Sequence, residues 1–389
     1  MSVETHTFPE LGADLWDGYE VHAAALRRRL DVVLYPRQVL IASDHTGAEL
    51  AFVHGVPETS SLGPVTYAQD KRMRRALLER ASIPIPRGTT FSVGRGVDNA
   101  KRFAEKIGYP VVVKPAVGDN AIETFADLQT EDEFDAAVDK LRVPPSERET
   151  FTRAAYGLTE LREPGEEDGR VVVPPGYRFL VEDHVYGQYV RFLVLYGEVH
   201  SAIHCPGSPS LEYTRPNRDL GDEVHPTIQQ IAVNALAALP GVSVGAVDIV
   251  LTDHQRDAAE QDLWVVEVSE RPGLAVQAAI ARQLSARYSD AILEGLAILR
   301  KMNLSETTEV VTVEWQAEAI PDLSNAVSAL NGFCATYGLK SEIETRDEVE
   351  GIAAGRVQGP AGHIARMSEL LLAGEMDGHR AMLVEVVHS

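Results

Sequence analysis

Residues 108–119 read GYPVVVKPAVGD. Gly108 stops a helix that the pattern places at Asn99–Ile107. Val111–Val113 are three β-branched residues in a row, so Val111–Pro115 reads as a strand with Lys114 at its end. Upstream, AQDKRMRRALLERASIP (68–84) has helical spacing. Leu77, Leu78 and Ala81 share a face, Asp70-Lys71 opens it, and Pro84 with Pro86 stops it. Downstream comes a helix at Glu131–Leu141, and then residues 142–178 turn polar and Pro/Gly-rich. That composition fits a surface insertion, either a lid or a mere loop.

Further out, FLVEDHV (179–185), YVRFLVLYG (189–197) and EVHSAIHC (198–205) read as strands, with Gly197-Glu198 as a hairpin turn. A helix at Thr227–Leu239 precedes strands GAVDIVLTD (245–253) and LWVVEVSE (263–270), and a long helix follows at Gln277–Met302. At the start, Val21–Leu30 is helical. DVVLYPRQVLIAS (31–43) is strand material interrupted by Pro36, with no Gly-x-Gly turn for a dinucleotide. The last 80 residues alternate as βαββαβ, the split βαβ or ferredoxin-like plan. The expected division is 1–65 as a short α/β segment, 66–305 as an α+β domain carrying the insertion, and 309–389 as a separate module.

The chain has 389 residues, with 58 acidic against 36 basic side chains and a formal charge of −22. Domains of roughly 100–200 residues imply about two to four of them. At 44% hydrophobic and 24% charged, wholesale disorder is excluded. The acidic balance excludes a nucleic-acid platform built on bulk charge, and an anionic substrate would need a local basic pocket. Two cysteines, Cys205 and Cys334, cannot form a disulfide framework and suit a reducing compartment. No apolar run approaches the ~18 residues of a membrane span, and the first residues lack a cationic start. The expectation is a soluble cytoplasmic protein without nucleic-acid or membrane partners.

Four features come in an informative order: Asp70-Lys71 opening a helix, Lys114 ending a strand, Glu182 in a strand-and-hinge stretch, and Asp248 with Glu267 on neighbouring strands. Two lysines from separate elements can neutralise a polyphosphate, a hinge offers backbone groups to an adenine edge, and paired carboxylates suit Mg²⁺. Each also has a plain structural reading, such as a surface lysine or a core salt bridge. Glu267 interrupts an apolar run, where an unpaired carboxylate is costly to bury. His184, His204 and His225 lack metal-ligand spacing and read as structural, and Cys205 reads as a packed thiol.

The segments 59–88, 108–119, 179–203, 245–253 and 264–273, in that order, resemble the ATP-grasp ligases of the cyanophycin synthetase, D-alanine–D-alanine ligase and glutamate-tail ligase branch. The resemblance covers residues 57–300 and implies an ATP-grasp fold, two α+β lobes clasping ATP. It implies an ATP-dependent carboxylate–amine ligase that works through an acyl phosphate and releases ADP and phosphate. Carried over, Lys71 and Lys114 would contact phosphates, Glu182, Asp183, His184 and Val185 would hold adenine, and Asp248, Glu267 and Ser269 would hold Mg²⁺, with Mn²⁺ as the alternative ion. Arg191, Arg215 and Arg271 would orient a carboxylate, although Arg271 could equally pair with a surface acid.

The substrates implied are amino acids or peptides in specialised biosynthesis, with a homodimer as the implied assembly. A catalytically silent ATP-binding regulator and another grasp-type acyl-activating enzyme are the alternatives. Four departures from the pattern stand out. One glycine remains in the loop after Lys114, Tyr189 replaces the ribose-side acid, Ala246 replaces an arginine, and Ser269 replaces an asparagine. The C-terminal segment is similar to the second half of an acylphosphatase-type domain but lacks that family's arginine loop. Dimerisation, covering the site, or binding a carrier or peptide is its expected role.

Overall fold

Pro36 ends β1 (Asp31–Tyr35), and a three-residue turn returns the chain as β2 (Val39–Ser43), so the interruption expected at Pro36 splits the segment into two strands. The computed structural model describes residues 11–117, 124–143, 165–167, 170–172, 177–206 and 217–389. It divides into two compact units, one made of residues up to Thr59 with Arg271–Ser389, the other of Ser60–Glu270. Both mix helices with antiparallel sheets.

In the first unit, α1 (Ala13–Arg27) precedes β1 and β2, and β3 (Glu49–Val53) and β4 (Val56–Pro57) follow. In the second, α2 (Leu62–Gln69) and α3 (Lys71–Arg80) are split by Asp70, which is extended rather than helical. Then come β5 (Gly88–Ser92), α4 (Val97–Ile107), β6 (Val111–Pro115), β7 (Phe125–Leu128), α5 (Glu131–Arg142) and the short β8 (Gly165–Glu167) and β9 (Arg170–Val172). β10 (Arg178–Asp183), β11 (Gln188–Leu195), β12 (Glu198–His204), β13 (Arg218–Asp219), α6 (Pro226–Ala237), β14 (Val244–Leu251) and β15 (Leu263–Ser269) complete it. The turn between β11 and β12 is Tyr196-Gly197, one residue earlier than expected. Both residues have positive φ, which suits a two-residue hairpin.

The second unit contains two larger sheets, ordered β5-β10-β6-β7 and β13-β12-β11-β14-β15. On the first, Val111, Val113, Phe179 and Val181 face Ala100 and Ala104 of α4 and Phe134 and Leu141 of α5. On the second, Val190, Phe192, Val247 and Ile249 face Ile228, Ala232 and Leu236 of α6, with Ala68 and Leu78 joining that core. The part of the loop after Lys114 that starts at Gly118, and most of the 142–178 insertion, lie outside the described residues.

The first unit resumes with α7 (Ala275–Ile280) and α8 (Arg282–Arg300), so the single long helix expected there is broken at extended Ala281. β16 (Val310–Glu318), α9 (Leu323–Thr336), β17 (Lys340–Asp347), β18 (Ile352–Pro360), α10 (Ala361–Ala373) and β19 (Leu383–His388) follow in βαββαβ order. These strands are not a separate sheet. β19 pairs with β1 (Val32↔Val386, Leu34↔Val384), giving one eight-stranded sheet β17-β18-β16-β19-β1-β2-β3-β4. The chain therefore divides at 59/60 and 270/271, not at the expected 65/66 and 305/309, because the terminal segments complete each other's sheet. Polar anchors tie α1 into this unit: Asp17 accepts from the Gly273 and Leu274 amides, and Arg27 pairs with Asp290 at 3.1 Å. No helix among the described residues is long and apolar enough to cross a membrane.

Candidate functional site

Strand alternation sets the first half of the site. With Val111, Val113, Phe179 and Val181 in the core, Val112 and Lys114 of β6 and Leu180 and Glu182 of β10 occupy the opposite face. Lys114 pairs in register with Leu180, and Glu182 with Val112, so the lysine and the glutamate are diagonal neighbours. Lys114 Nζ lies 2.5 Å from Glu182 Oε1, and Arg75 Nη1 donates to Glu182 Oε2 at 3.1 Å. Both members of the lysine–glutamate pair are buried.

Alternation fails on β15, and the failure is informative. Leu263 and Val265 are in the core, so strict parity would send Glu267 there too, at a cost of several kcal/mol for an unpaired carboxylate. Instead the register shifts: Ile249 pairs with Val265 and Asp248 with Glu267, leaving Val266 as a bulge. Val268 then enters the core, and Glu267 and Ser269 join Asp248 on the other face. Arg191 pairs in register with Asp248, its Nε 3.1 Å from Oδ1. A row Arg191–Asp248–Glu267 thus crosses three adjacent strands.

Helix α3 joins the two halves. The Asp70 carboxylate accepts the Arg72 amide at 2.9 Å as its N-cap, and the Lys71 amide donates to the Ala116 carbonyl at 2.8 Å, tying the helix start to the end of β6. Lys71, Arg74 and Leu78 are the buried stripe of this helix. Arg74 Nη1 donates to the Ala68 and Val268 carbonyls at 3.1 Å each and pairs with Glu267. Burial would raise the Glu267 carboxyl, but the Arg74, Lys71 and Lys114 charges outweigh it and hold the group below the usual carboxylate range. At Asp248 burial wins, and the carboxyl is raised despite Arg191.

The arrangement fits a divalent cation completed by a polyphosphate. Neither oxygen of buried Asp248 accepts a well-formed hydrogen bond, although Arg191 and the Tyr189 phenol are close. No group of three or more His, Cys, Asp or Glu among the described residues could form a protein cage, whereas Mg²⁺ takes one or two carboxylates plus phosphate oxygens. The cations Lys71, Arg74 and Lys114 act together on Glu267 and make a local basic patch in an otherwise acidic chain.

The remaining sequence-derived residues are placed differently. The Asp183 carboxylate takes exposed Arg87 at 2.8 Å, and its amide donates to the Arg87 carbonyl at 2.9 Å. The His184 amide donates to Pro110 at 3.2 Å, and its Nδ1 accepts from the Asp127 amide. Burial lowers its pKa, consistent with that acceptor role. The Asp183 side chain is thus committed to Arg87 beside β5 and the His184 ring to β7, and neither is among the groups meeting at Lys114. Val185 lies two residues past the end of β10, half-buried. Ser269 is buried beside the row. Arg271 opens the second segment of the other unit, and Arg215 lies outside the described residues. Sequence reasoning missed Arg74 and Arg75. The signal was there: Lys71, Arg74, Arg75 and Leu78 recur at helical spacing on one face.

Residues 70–121 match the model of the carbamoyl-phosphate synthase L chain, ATP binding domain. That match runs from α3 through β6 and so includes Lys71, Arg74, Arg75 and Lys114. The chain is 23% identical over 275 residues to cyanophycin synthetase of Nostoc sp. (strain PCC 7120 / SAG 25.82 / UTEX 2576), covering 61% of this chain and 30% of that protein. It is 38% identical over 79 residues to the carbamoyl phosphate synthase arginine-specific large chain of Lactiplantibacillus plantarum, covering 18% of this chain and 8% of that one. Among solved structures, D-alanine–D-alanine ligase from Bacillus anthracis complexed with ATP aligns with 14% identity and a TM-score of 0.40, over 62% of this chain and 69% of that one. The chain therefore spans less than a third of the length of the cyanophycin synthetase that it matches.

Proposed function

We propose that residues 60–270 form an ATP-grasp domain that binds Mg-ATP, and that the chain is an ATP-dependent carboxylate–amine ligase acting on an amino acid or peptide. The observation that carries this reading is Glu267: one carboxylate stands within the fields of Arg74, Lys71 and Lys114, opposite a second buried carboxylate, Asp248. The match of residues 70–121 to an ATP-binding domain and the similarity to cyanophycin synthetase support it.

When bound, ATP would supply the phosphoryl group that activates a carboxylate as an acyl phosphate for attack by an amine, and Mg²⁺ would offset charge on the phosphates. The chain's own contribution is position and charge. Lys71 and Lys114 would neutralise phosphate oxygens from two separate elements, and Asp248 and Glu267 would offer hard oxygens from one sheet face. Arg74 keeps Glu267 ionised and aimed, and Arg191 offsets only part of the burial that raises the Asp248 carboxyl. Ser269 could lend its hydroxyl to the metal, although it is a weaker ligand than a carboxylate. The backbone after Glu182 is the proposed adenine edge. No protein nucleophile is required.

The test is product analysis. The pure protein is incubated with Mg-ATP and a panel of amino acids and peptides, and ADP and phosphate are followed. ADP release that requires both an acid and an amine supports ligation. Tight binding without turnover across the panel points to a silent regulator, and AMP as the product removes the acyl-phosphate route.

A further inference from the structure

We infer that Arg75 is a positioning residue that holds the Glu182 carboxylate in place so that Lys114 can leave it for an anionic ligand. The inference rests on the proposed reading of Lys114 as a phosphate-binding lysine. Buried Glu182 divides its oxygens between two cations, Oε1 facing Lys114 Nζ at 2.5 Å and Oε2 facing Arg75 Nη1 at 3.1 Å. The two cations are held very differently. The Arg75 guanidinium also donates through Nη2 to the Pro86 carbonyl at 2.8 Å and the Gly88 carbonyl at 3.3 Å, so backbone fixes it. Lys114 arrives as a point charge on a flexible four-carbon stem.

Were Lys114 the sole counter-charge, moving its ammonium to a phosphate would strand a buried carboxylate, which is strongly unfavourable. With Arg75 anchored, the carboxylate stays neutralised while the lysine exchanges partners. Gly88 belongs to the same device. It pairs in register with Glu182, and a Cβ there would stand 2.6 Å from the Glu182 Cβ, so only glycine lets β5 pass this close. Arg75 thereby acts on the ligand only through Glu182 and Lys114.

The experiment measures ADP binding in Mg²⁺ by calorimetry on the full chain, for wild type, Arg75→Met, Glu182→Gln and the double variant. Urea midpoints are recorded for each. Arg75→Met should weaken ADP binding by about tenfold or more, because Lys114 is then retained by Glu182. Adding Glu182→Gln should bring the affinity back to within about threefold of Glu182→Gln alone, since the stranded charge no longer exists. Arg75→Lys, alone and with Glu182→Gln, repeats the comparison with a charge that cannot span both carbonyls and the carboxylate, should Arg75→Met not fold. A double variant binding no better than the single Arg75 variant would mean a merely structural arginine and overturns the inference, as does wild-type affinity in Arg75→Met. A wild-type chain that binds no ADP overturns the proposed function itself, and this inference with it.

Discussion

Asp248 and Glu267 face one another across β14 and β15 only because Val266 is left without a partner. The bulge changes the parity of β15 within one residue, keeping Leu263 and Val265 in the core while releasing Glu267 from it. A carboxylate that looks misplaced in an apolar run is therefore the residue the strand is bent to expose.

Glu267 is held below the ordinary carboxylate range, since Arg74, Lys71 and Lys114 overcome its burial. Its ionised form therefore stabilises the fold above the unfolded carboxylate value of about 4.3, and that contribution is lost as pH falls through the lower folded value. Glu267→Gln should cost about 1–3 kcal/mol at pH 7 by removing a charged hydrogen bond. The difference from wild type should shrink under acid conditions. Urea unfolding of both proteins between pH 7 and pH 3 checks this, and a gap that widens toward acid would refute it.

Gly88 should not tolerate a side chain. A Cβ would meet the Glu182 Cβ at 2.6 Å and the Val181 carbonyl at 2.9 Å, atoms of a central strand that cannot swing aside. Gly88→Val is expected to destabilise by about 1–3 kcal/mol or more, as overpacking does. It should also weaken nucleotide binding, because Glu182 is displaced. Denaturant midpoints and ADP titration read the two effects separately.

Both thiols should be silent in the folded protein. Burial, with Asp248 adding to it, pushes the Cys205 thiol up to about 12, and burial raises Cys334. At pH 8 an aromatic disulfide reagent should label neither on the minute timescale, and should label both once urea is added. Rapid native labelling of Cys205 would show the strand end to be open.

Removing residues 309–389 should not leave a trimmed but intact fold. β1 would lose its pairing to Val384–Val386, and a hydrophobic strand edge would be bared. The truncated chain is expected to be recovered as aggregate, or in the void volume of a sizing column. A well-behaved monomer that still releases ADP would show the C-terminal strands to be an accessory after all.

Periodic features were legible without coordinates. The helix at Lys71–Arg80, the β-branched strand carrying Lys114 and the alternating strands around Arg191 and Asp248 each depend on neighbours within a few residues, which is the range of helical and strand spacing. The βαββαβ order of the last segment was readable for the same reason. The positions of Asp183 and His184 were not. That the last residue of β10 sends its carboxylate to Arg87 and the next residue turns its ring to the Asp127 amide depends on neighbouring segments that local pattern does not encode.

The chain's own order of residues determined which elements form, where Lys71, Lys114, Asp248 and Glu267 stand on them, and that a carboxylate would interrupt an apolar strand. Only the folded structure decided that Val266 absorbs the shift of register, that Arg75 and Lys114 share Glu182, and that Val32 and Val386 lie side by side in one sheet. The reason is range. Side-chain periodicity is set by backbone geometry between near neighbours, whereas charge pairing and strand pairing across hundreds of residues depend on which surfaces remain to be buried once those elements exist.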